Sequence, residues 1–94
     1  FNGYLPIDEK EKIKTIKQLE SNSRNATQIF IETPYRNNKL IELLIKTCSD
    51  FTKLCIARNI SGNSEFIITK TIKEWKKTKT PDCHKIPAIF LLGV

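Results

Sequence analysis

The sequence contains few of the residues on which several common catalytic and cofactor sites depend. It has no methionine, one histidine and three glycines. The glycines Gly3, Gly62 and Gly93 stand alone, which excludes a glycine-rich loop that cradles phosphate groups. No nucleophile-elbow pattern accompanies His84, so the sequence does not indicate nucleophilic catalysis by a serine or cysteine. We interpret His84 as an ordinary loop residue.

Cysteine is also scarce and shows no regular spacing. Cys48, Cys55 and Cys83 form an odd set, and two of them lie in apolar segments, where small buried thiols are common. Cys83 and His84 are adjacent donors, but no second pair stands at zinc-like spacing, so we expect no metal site. Cysteines of this kind are typical of a reducing compartment, and we predict a cytoplasmic protein.

Long apolar runs and secretory signals are missing as well. No run approaches the roughly 20 apolar residues that a membrane helix needs, and we expect no membrane partner. The start without methionine and the apolar last residues, 91–94, favour a domain cut from a longer polypeptide. We therefore predict that residues 1–94 form one domain with a modest core, and that part of the function lies outside it.

The charge balance is strongly basic, with a formal net charge of +6. Such a balance favours a polyanionic partner such as RNA. The abundance of lysine, isoleucine and asparagine, typical of proteins from AT-rich genomes, explains the charge equally well. Trp75 stands at helical spacing from Ile72 and is interpreted as a core residue, so the lysines of segment 70–79 are expected to form a solvated face.

Helices and strands are predicted to alternate along the chain. The predicted elements are a strand end or leading loop at 1–6, a helix from Asp8, strands at 27–31, 53–58, 65–69 and 86–92, and helices at 38–48 and from 70 or 71. This order, β-α-β-α-β-β-α-β, predicts an α/β fold with a mixed, mostly parallel sheet of about four to five strands and helices packed on it. A loop at 60–64 favours an antiparallel hairpin between the two strands that flank it.

The segment Ile29-Phe30-Ile31-Glu32-Thr33-Pro34-Tyr35-Arg36 has the clearest functional pattern. A buried strand ends in a carboxylate, a proline turn and a guanidinium, and a helix follows. Because ligands bind outside the carboxyl ends of strands in open α/β sheets, Glu32 and Arg36 are candidates for a binding or catalytic site. The alternative is that Glu32 and Arg36 pair across the turn and cap the helix.

This segment is similar to a signature of the tetrapyrrole methylase superfamily, and most of all to the branch of ribosomal RNA small-subunit methyltransferase I, which methylates a ribose 2′-oxygen. Three further segments resemble motifs of that superfamily in the same order: Phe1-Asn2-Gly3-Tyr4-Leu5-Pro6, Ala57-Arg58-Asn59-Ile60-Ser61 with Glu65 downstream, and Pro87-Ala88-Ile89-Phe90-Leu91-Leu92-Gly93-Val94. Two positions depart from the branch, since Asn59 replaces an acid and Gly62 replaces a lysine. Ser61 keeps the hydroxyl of the family's threonine.

The resemblance implies a two-domain methyltransferase that binds S-adenosylmethionine in the cleft between its domains. Residues 1–94 would be the carboxyl-terminal domain, and the absent amino-terminal domain would supply the glycine-rich cofactor loop. The residues implied on the cofactor side are Glu32, Thr33, Cys55 and Ala88. Those implied at the substrate mouth are Arg36, Arg58, Ser61 and Glu65. Glu32 and Arg36 would be the catalytic pair, and superfamily members are commonly dimers.

Three functional hypotheses remain open from the sequence. The first is S-adenosylmethionine-dependent methylation of ribosomal RNA at a ribose 2′-oxygen, with the small ribosomal subunit as partner. The second is methylation of a tetrapyrrole or another small molecule by the same superfamily. The third, suggested by the net charge of +6, is a non-catalytic RNA-binding module.

Overall fold

A computed structural model describes residues 1–59 and 65–93 of the chain. The elements, in order, are α1 (Glu9–Asn22), β1 (Gln28–Ile31), a 3-10 turn (Pro34–Arg36), α2 (Asn37–Thr47), β2 (Lys53–Arg58), β3 (Phe66–Thr71), α3 (Ile72–Lys77) and β4 (Ala88–Gly93). The helices and strands predicted from Asp8 onward are therefore confirmed. The leading segment contributes an isolated parallel bridge between Tyr4 and Ile31. The loop predicted at 60–64 lies outside the described residues.

The sheet has four strands in the order β1-β4-β2-β3, and every neighbouring pair is antiparallel. The α/β class is confirmed, but the prediction of a mostly parallel sheet is wrong. β1 and β2, which are joined through α2, do run in the same direction. β4 inserts between them and runs in the opposite direction, so the two parallel strands are not neighbours. Strand and helix alternation along the sequence shows the direction of β1 and β2, but it does not show which strand separates them. The predicted antiparallel hairpin of β2 and β3 is confirmed.

The strand register brings the functional segments to one edge of the sheet. Ile31 at the end of β1 and Ala57 near the end of β2 both pair with Ile89, near the start of β4. Arg58, the last residue of β2, pairs with Ala88, the first residue of β4. We call this end of the sheet the site edge. The antiparallel insertion of β4 thus places the carboxyl ends of β1 and β2 beside the Pro87-Ala88 segment.

The helices cover one face of the sheet. α1 begins where its predicted cap stands, because the Glu11 N–H donates to the Asp8 carboxylate at 3.1 Å. The residue predicted as a core anchor, Trp75, is 1% exposed, and its Nε1 donates to the Leu54 carbonyl at 2.9 Å. Packed around it are the fully buried side chains Ile16, Phe30, Leu40, Ile41, Leu44, Leu54, Ile56, Ile72, Phe90 and Leu92. Burial of this apolar surface is the main stabilising contribution to the fold.

The described helices are short, and the longest, α1, has 14 residues. None of the helices in residues 1–59 and 65–93 is long and apolar enough to cross a membrane. The cytoplasmic location stays a prediction.

The opposite face of the sheet has no helix over it among the described residues, and much of it is apolar. Side chains alternate between the two faces along each strand, so the partners of the core residues point away from the helices. The apolar side chains among them, apart from the buried Ala57, are Ile29 and Ile31 of β1, Cys55 of β2, Ile67 of β3, and Ile89 and Leu91 of β4. They are half-buried, except for Ile67, which is 56% exposed. We call this surface the open face, and it meets the site edge at Ile31 and Ile89.

Candidate functional site

Glu32 lies directly after β1, is 5% exposed, and is held by three groups. The Lys12 ammonium donates to Glu32 Oε2 at 2.5 Å. The Thr33 backbone N–H donates to Glu32 Oε1 at 2.9 Å. The Arg36 guanidinium Nη1 stands 3.7 Å from the same Oε1. A buried carboxylate is costly unless it is paired and hydrogen-bonded, and here both oxygens have partners.

Lys12 is the residue of this cluster that the sequence analysis missed. Its side chain is buried, although the other lysines of α1 are exposed. The sequence did contain a signal: Lys12 stands four residues before Ile16 and seven before Leu19, on the same helical stripe. A lysine on an apolar stripe needs a buried acidic partner, and Glu32 is that partner.

Arg36 contacts Glu32 less closely than Lys12 does. Its Nη1 donates to Thr33 Oγ1 at 3.0 Å, and its side chain is 41% exposed. The pairing of Glu32 with Arg36 across the turn is therefore present, as the structural alternative predicted. The predicted cap on α2 is not made by Arg36, because this N-cap residue forms no side-chain capping hydrogen bond. Glu32 instead accepts from the backbone N–H of Thr33, the N-cap residue of the 3-10 turn.

A cavity of about 310 Å³ lies against Glu32 at the site edge. It is lined by Tyr4, Ile31, Glu32, Pro34, Ala57, Pro87, Ala88 and Ile89. We call it the edge pocket. Its volume is at the lower end of the roughly 300–1,000 Å³ typical of small-molecule sites. Its lining is mostly apolar, with the Glu32 carboxylate and the Tyr4 phenol as polar side chains. Such a lining can hold an apolar ligand and orient it through a polar group.

Small side chains and a left-handed residue create the edge pocket. Ala57 and Ala88 leave the space that larger residues would fill. Asn59 has φ +52, a left-handed conformation that asparagine tolerates better than most residues. Its backbone N–H donates to the Pro87 carbonyl at 2.8 Å, which fixes the segment before β4 against the end of β2. The Asn59 that departs from the family pattern thus has a backbone role in the fold.

Asn37 holds the loop before β4 from the other side. It is fully buried at the start of α2, and its Nδ2 donates to the carbonyls of Ile86 at 2.6 Å and Cys83 at 3.2 Å. Its Oδ1 is buried and has no hydrogen-bond partner in the described structure. These bonds place Pro87 at the edge pocket, so Asn37 is a second site-building residue that the sequence did not reveal.

The structure separates the remaining predicted site residues into groups. Thr33 stands beside Glu32 and hydrogen-bonds both Glu32 and Arg36, but it does not line the edge pocket. Cys55 faces a different cavity, of about 190 Å³, with Thr69 and Leu91. It is two residues from Ala57, or about 7 Å along the strand. A ligand that extended from the edge pocket over the open face would reach Cys55.

Two of the predicted substrate residues, Arg58 and Glu65, lie at or beside the facing ends of β2 and β3. Arg58 Nη1 donates to the Asp82 carbonyl at 2.9 Å, and its guanidinium lies over the Phe66 ring at 5.6 Å. Glu65 is exposed and immediately precedes β3. Ser61 lies outside the described residues. The site residues, including the cofactor and substrate roles, stay predictions.

The loop that leads to the edge pocket contains two groups with shifted pKa values. A hydrogen bond from Asn38 Nδ2 at 2.9 Å, and a second from the His84 backbone N–H at 3.0 Å, lower the pKa of Asp82. Burial raises the pKa of the Cys83 thiol. Within residues 1–59 and 65–93, no group of three or more histidine, cysteine, aspartate or glutamate side chains could hold a metal ion.

Comparison with known proteins gives a structural likeness. No protein-family model matches the sequence. No curated protein matches it either. Among solved structures, the chain is similar to the methyltransferase CobJ, with a TM-score of 0.59 and 15% sequence identity. The match covers 99% of this chain and 40% of the CobJ chain. The chain thus shares the fold of part of a methyltransferase and spans less than half of that protein's length.

Proposed function

We propose that this chain forms one wall of the S-adenosylmethionine site of a methyltransferase of the tetrapyrrole methylase superfamily. The observation that supports this most directly is the composition of the edge pocket. Each of the four segments that resemble the superfamily contributes to it, through Tyr4, Glu32, Ala57 and Ala88. Segments so distant in sequence meet at one pocket only because of the fold. The fold itself is shared with a methyltransferase.

The edge pocket needs a second wall to hold such a cofactor. Small-molecule sites bury roughly 70–90% of a drug-sized ligand, and a pocket of about 310 Å³ at a sheet edge is small for that task. In this proposal the second wall is an amino-terminal domain of the same polypeptide, with the glycine-rich loop. The open face, which adjoins the pocket, offers that domain or a second copy of the chain an apolar surface to pack on.

Glu32 is proposed to orient a ligand hydroxyl at the pocket. A carboxylate has about four acceptor positions; Lys12 and Thr33 occupy two of them by hydrogen bonds, and the Arg36 guanidinium stands 3.7 Å away. A remaining position can accept from a ribose hydroxyl of the cofactor or the substrate. Methyl transfer is an in-line displacement that depends on the placement of both reactants, so an immobile acceptor lowers its barrier. The ion pairs that make Glu32 rigid are therefore part of the proposed function.

Ribosomal RNA is the proposed substrate, methylated at a ribose 2′-oxygen. The Glu32 turn favours that branch, and so does an exposed cluster beside it. Tyr35 is largely exposed, His84 meets its ring edge-on at 6.2 Å, and the Lys85 ammonium lies 5.8 Å above the ring. Unpaired RNA bases stack on such aromatic and cationic groups, while Arg36 and Arg58 can contact phosphates. A small-molecule substrate is the alternative, supported by the fold likeness to CobJ.

The test uses the full-length polypeptide that contains this chain, with labelled S-adenosylmethionine and undermethylated small ribosomal subunits. Ribose methylation is mapped on the RNA. Ala88→Leu fills the edge pocket and should weaken cofactor binding by about tenfold or more, because overpacking displaces the ligand. Ala26→Leu, in an exposed turn, is the matched control and should leave binding unchanged. Equal cofactor affinity for both variants would contradict the proposed site.

The isolated chain provides a separate check on the second wall. Residues 1–94 alone should not bind the cofactor tightly in calorimetry. They should also transfer no methyl group from labelled S-adenosylmethionine. Micromolar affinity for the cofactor would contradict the need for a second domain. Methylation of a small molecule, with no label on RNA, would favour the alternative substrate.

A non-catalytic RNA-binding module is the second candidate, favoured by the net charge of +6. The lysine-rich helix α3 begins beside the Lys53–Thr71 pair, at the end of the sheet opposite the site edge. RNA bound there would not contact the edge pocket. A gel-shift titration at several salt concentrations, repeated with Ala88→Leu, separates the two. Tight binding by this chain alone, unaffected by the variant, would support the binding module.

A further inference from the structure

A second cavity, of about 360 Å³, lies on the helix side of Glu32 and has a different chemistry. It is lined by Ile7, Glu9, Lys12, Arg36, Lys39, Leu40 and Leu43. The residues come from the start of α1, the 3-10 turn and the first turns of α2. We call it the basic pocket. It shares Lys12 and Arg36 with the Glu32 cluster, but neither Glu32 nor any other residue of the edge pocket lines it.

Positive charge is in excess around the basic pocket. Three cations and one carboxylate, Glu9, line it. The positive charge of Lys12 is compensated by Glu32, which pairs with it but does not line the basic pocket. Arg36 has a looser contact with Glu32, at 3.7 Å, and Lys39 makes no hydrogen bond or ion pair with the described part of the chain. The pocket therefore offers two cationic side chains whose charge is incompletely compensated.

The donors of these side chains remain available for a ligand. A guanidinium has five N–H donors, and the contacts of Arg36 to Thr33 and Glu32 both run through Nη1. Its remaining edge can bind two oxygens at once, a geometry that suits phosphate. Lys39 lies on α2, three residues after Arg36, and places an ammonium on the same side of the helix. The apolar side chains Leu40 and Leu43 complete the lining beside these cations.

We propose that the basic pocket is a phosphate-binding site that takes a phosphate group either free or esterified. A dianion matches two incompletely compensated cations better than a carboxylate does. The site shares Arg36 with the proposed RNA contact, but phosphate binding there needs neither the cofactor nor the edge pocket. It can nevertheless influence that pocket, since a bound phosphate competes with Glu32 for Arg36.

The experiment is an NMR titration of the ¹⁵N-labelled chain with inorganic phosphate. The backbone amides of Arg36, Lys39 and Leu40 should shift with a saturable dependence on phosphate. Lys39→Gln should weaken binding by about fivefold or more, through loss of a charge-assisted contact. Lys46→Gln is the matched control, with the same charge change at an exposed position of the same helix. It should change the affinity by less than about twofold. Glu9→Gln should tighten binding, because it removes the one carboxylate of the lining.

Further titrations identify the form of the phosphate. Glycerol phosphate represents a monoester, and a short single-stranded oligonucleotide represents a diester. If one of these two ligands binds saturably, and the binding is lost in Lys39→Gln but kept in Lys46→Gln, that ligand represents the form of phosphate that the site takes. Acetate at equal ionic strength should not saturate the same amides. Three results would each overturn the proposal. The first is amide shifts that spread over the lysines of α1 and α3. The others are an equal loss of phosphate affinity in Lys39→Gln and Lys46→Gln, and saturable binding of acetate equal to that of phosphate.

Discussion

The Lys12 ammonium donates to the Glu32 carboxylate at 2.5 Å, across 20 positions of sequence, and both side chains are buried. This pair joins the first helix to the carboxyl end of β1, and it separates the edge pocket from the basic pocket. A buried ion pair contributes little net stability compared with an apolar pair of the same shape, but loss of one partner is strongly destabilising. The main effect of the Lys12–Glu32 ion pair is therefore to fix the position of Glu32.

Neutralisation of Glu32 should destabilise the chain by about 3 kcal/mol, because Glu32→Gln leaves the Lys12 charge buried with a weaker partner. Urea unfolding followed by Trp75 fluorescence measures the change. Lys12→Met combined with Glu32→Gln should recover part of the loss, since no buried charge then remains. Lys17→Met, on the exposed side of α1, is the control and should have little effect. A loss below about 0.5 kcal/mol in Glu32→Gln would show that the pair is solvated.

Loss of the Asn37 side chain should loosen the segment that leads to Ala88. Asn37→Ala removes the donors to the Cys83 and Ile86 carbonyls, and a lost buried hydrogen bond costs about 1–3 kcal/mol. Hydrogen exchange should accelerate at residues 83–88 more than in β2. Uniform acceleration over the whole sheet would mean that Asn37 stabilises the fold globally and does not specifically hold this segment.

The three cysteines should differ in reactivity. Burial, together with the nearby Glu20 carboxylate, raises the pKa of Cys48 to about 12, and burial also raises the pKa of Cys83. Both thiols should stay protonated at pH 8 and should react slowly with alkylating reagents, because the thiolate is the nucleophile. Cys55 is half-exposed on the open face and should be alkylated first by iodoacetamide. Mass spectrometry over time measures the order, and Cys55→Ser should remove the fast phase. Equal rates at all three cysteines would contradict the burial of Cys48 and Cys83.

Stability should fall in acid partly through Asp82. Its pKa is lowered in the folded chain, first by the hydrogen bond from Asn38 and then by the His84 backbone N–H. A lowered folded-state pKa gives stability that is present above the unfolded value, about 3.9, and is lost as pH falls through the folded value. Thermal unfolding between pH 5 and pH 2 should show this loss. Asp82→Asn should make the profile shallower, and an unchanged slope would mean that Asp82 does not contribute.

The order and type of the elements could be predicted because their signals are local. Asp8 and Glu11 mark the start of α1, and the apolar run 53–58 coincides with β2. Trp75 is buried because its spacing from Ile72 puts both on one helical face. The direction of neighbouring strands was mispredicted, because the partner of β4 depends on pairing between residues about 30 to 60 positions apart. No local pattern reports such pairing.

The candidate site was partly visible in the sequence for the same reason. Glu32 and Arg36 stand in one turn, so their proximity follows from the chain itself. Lys12 and Asn37 act over 20 and more positions, and their roles depend on how α1 and the loop before β4 pack. Cys55 and Ala57 stand two residues apart, on the same face of β2, yet only Ala57 lines the edge pocket.

The sequence by itself determined the elements, the apolar core and the four motif segments, because backbone propensity, side-chain periodicity and capping act within a few residues. The tertiary structure decided that these segments share one pocket, because β4 inserts antiparallel between β1 and β2. It also decided that Glu32 is held by a buried lysine and that a basic pocket lies behind it. Strand insertion and helix packing bring together charges that are distant in sequence, and burial then makes their contacts strong.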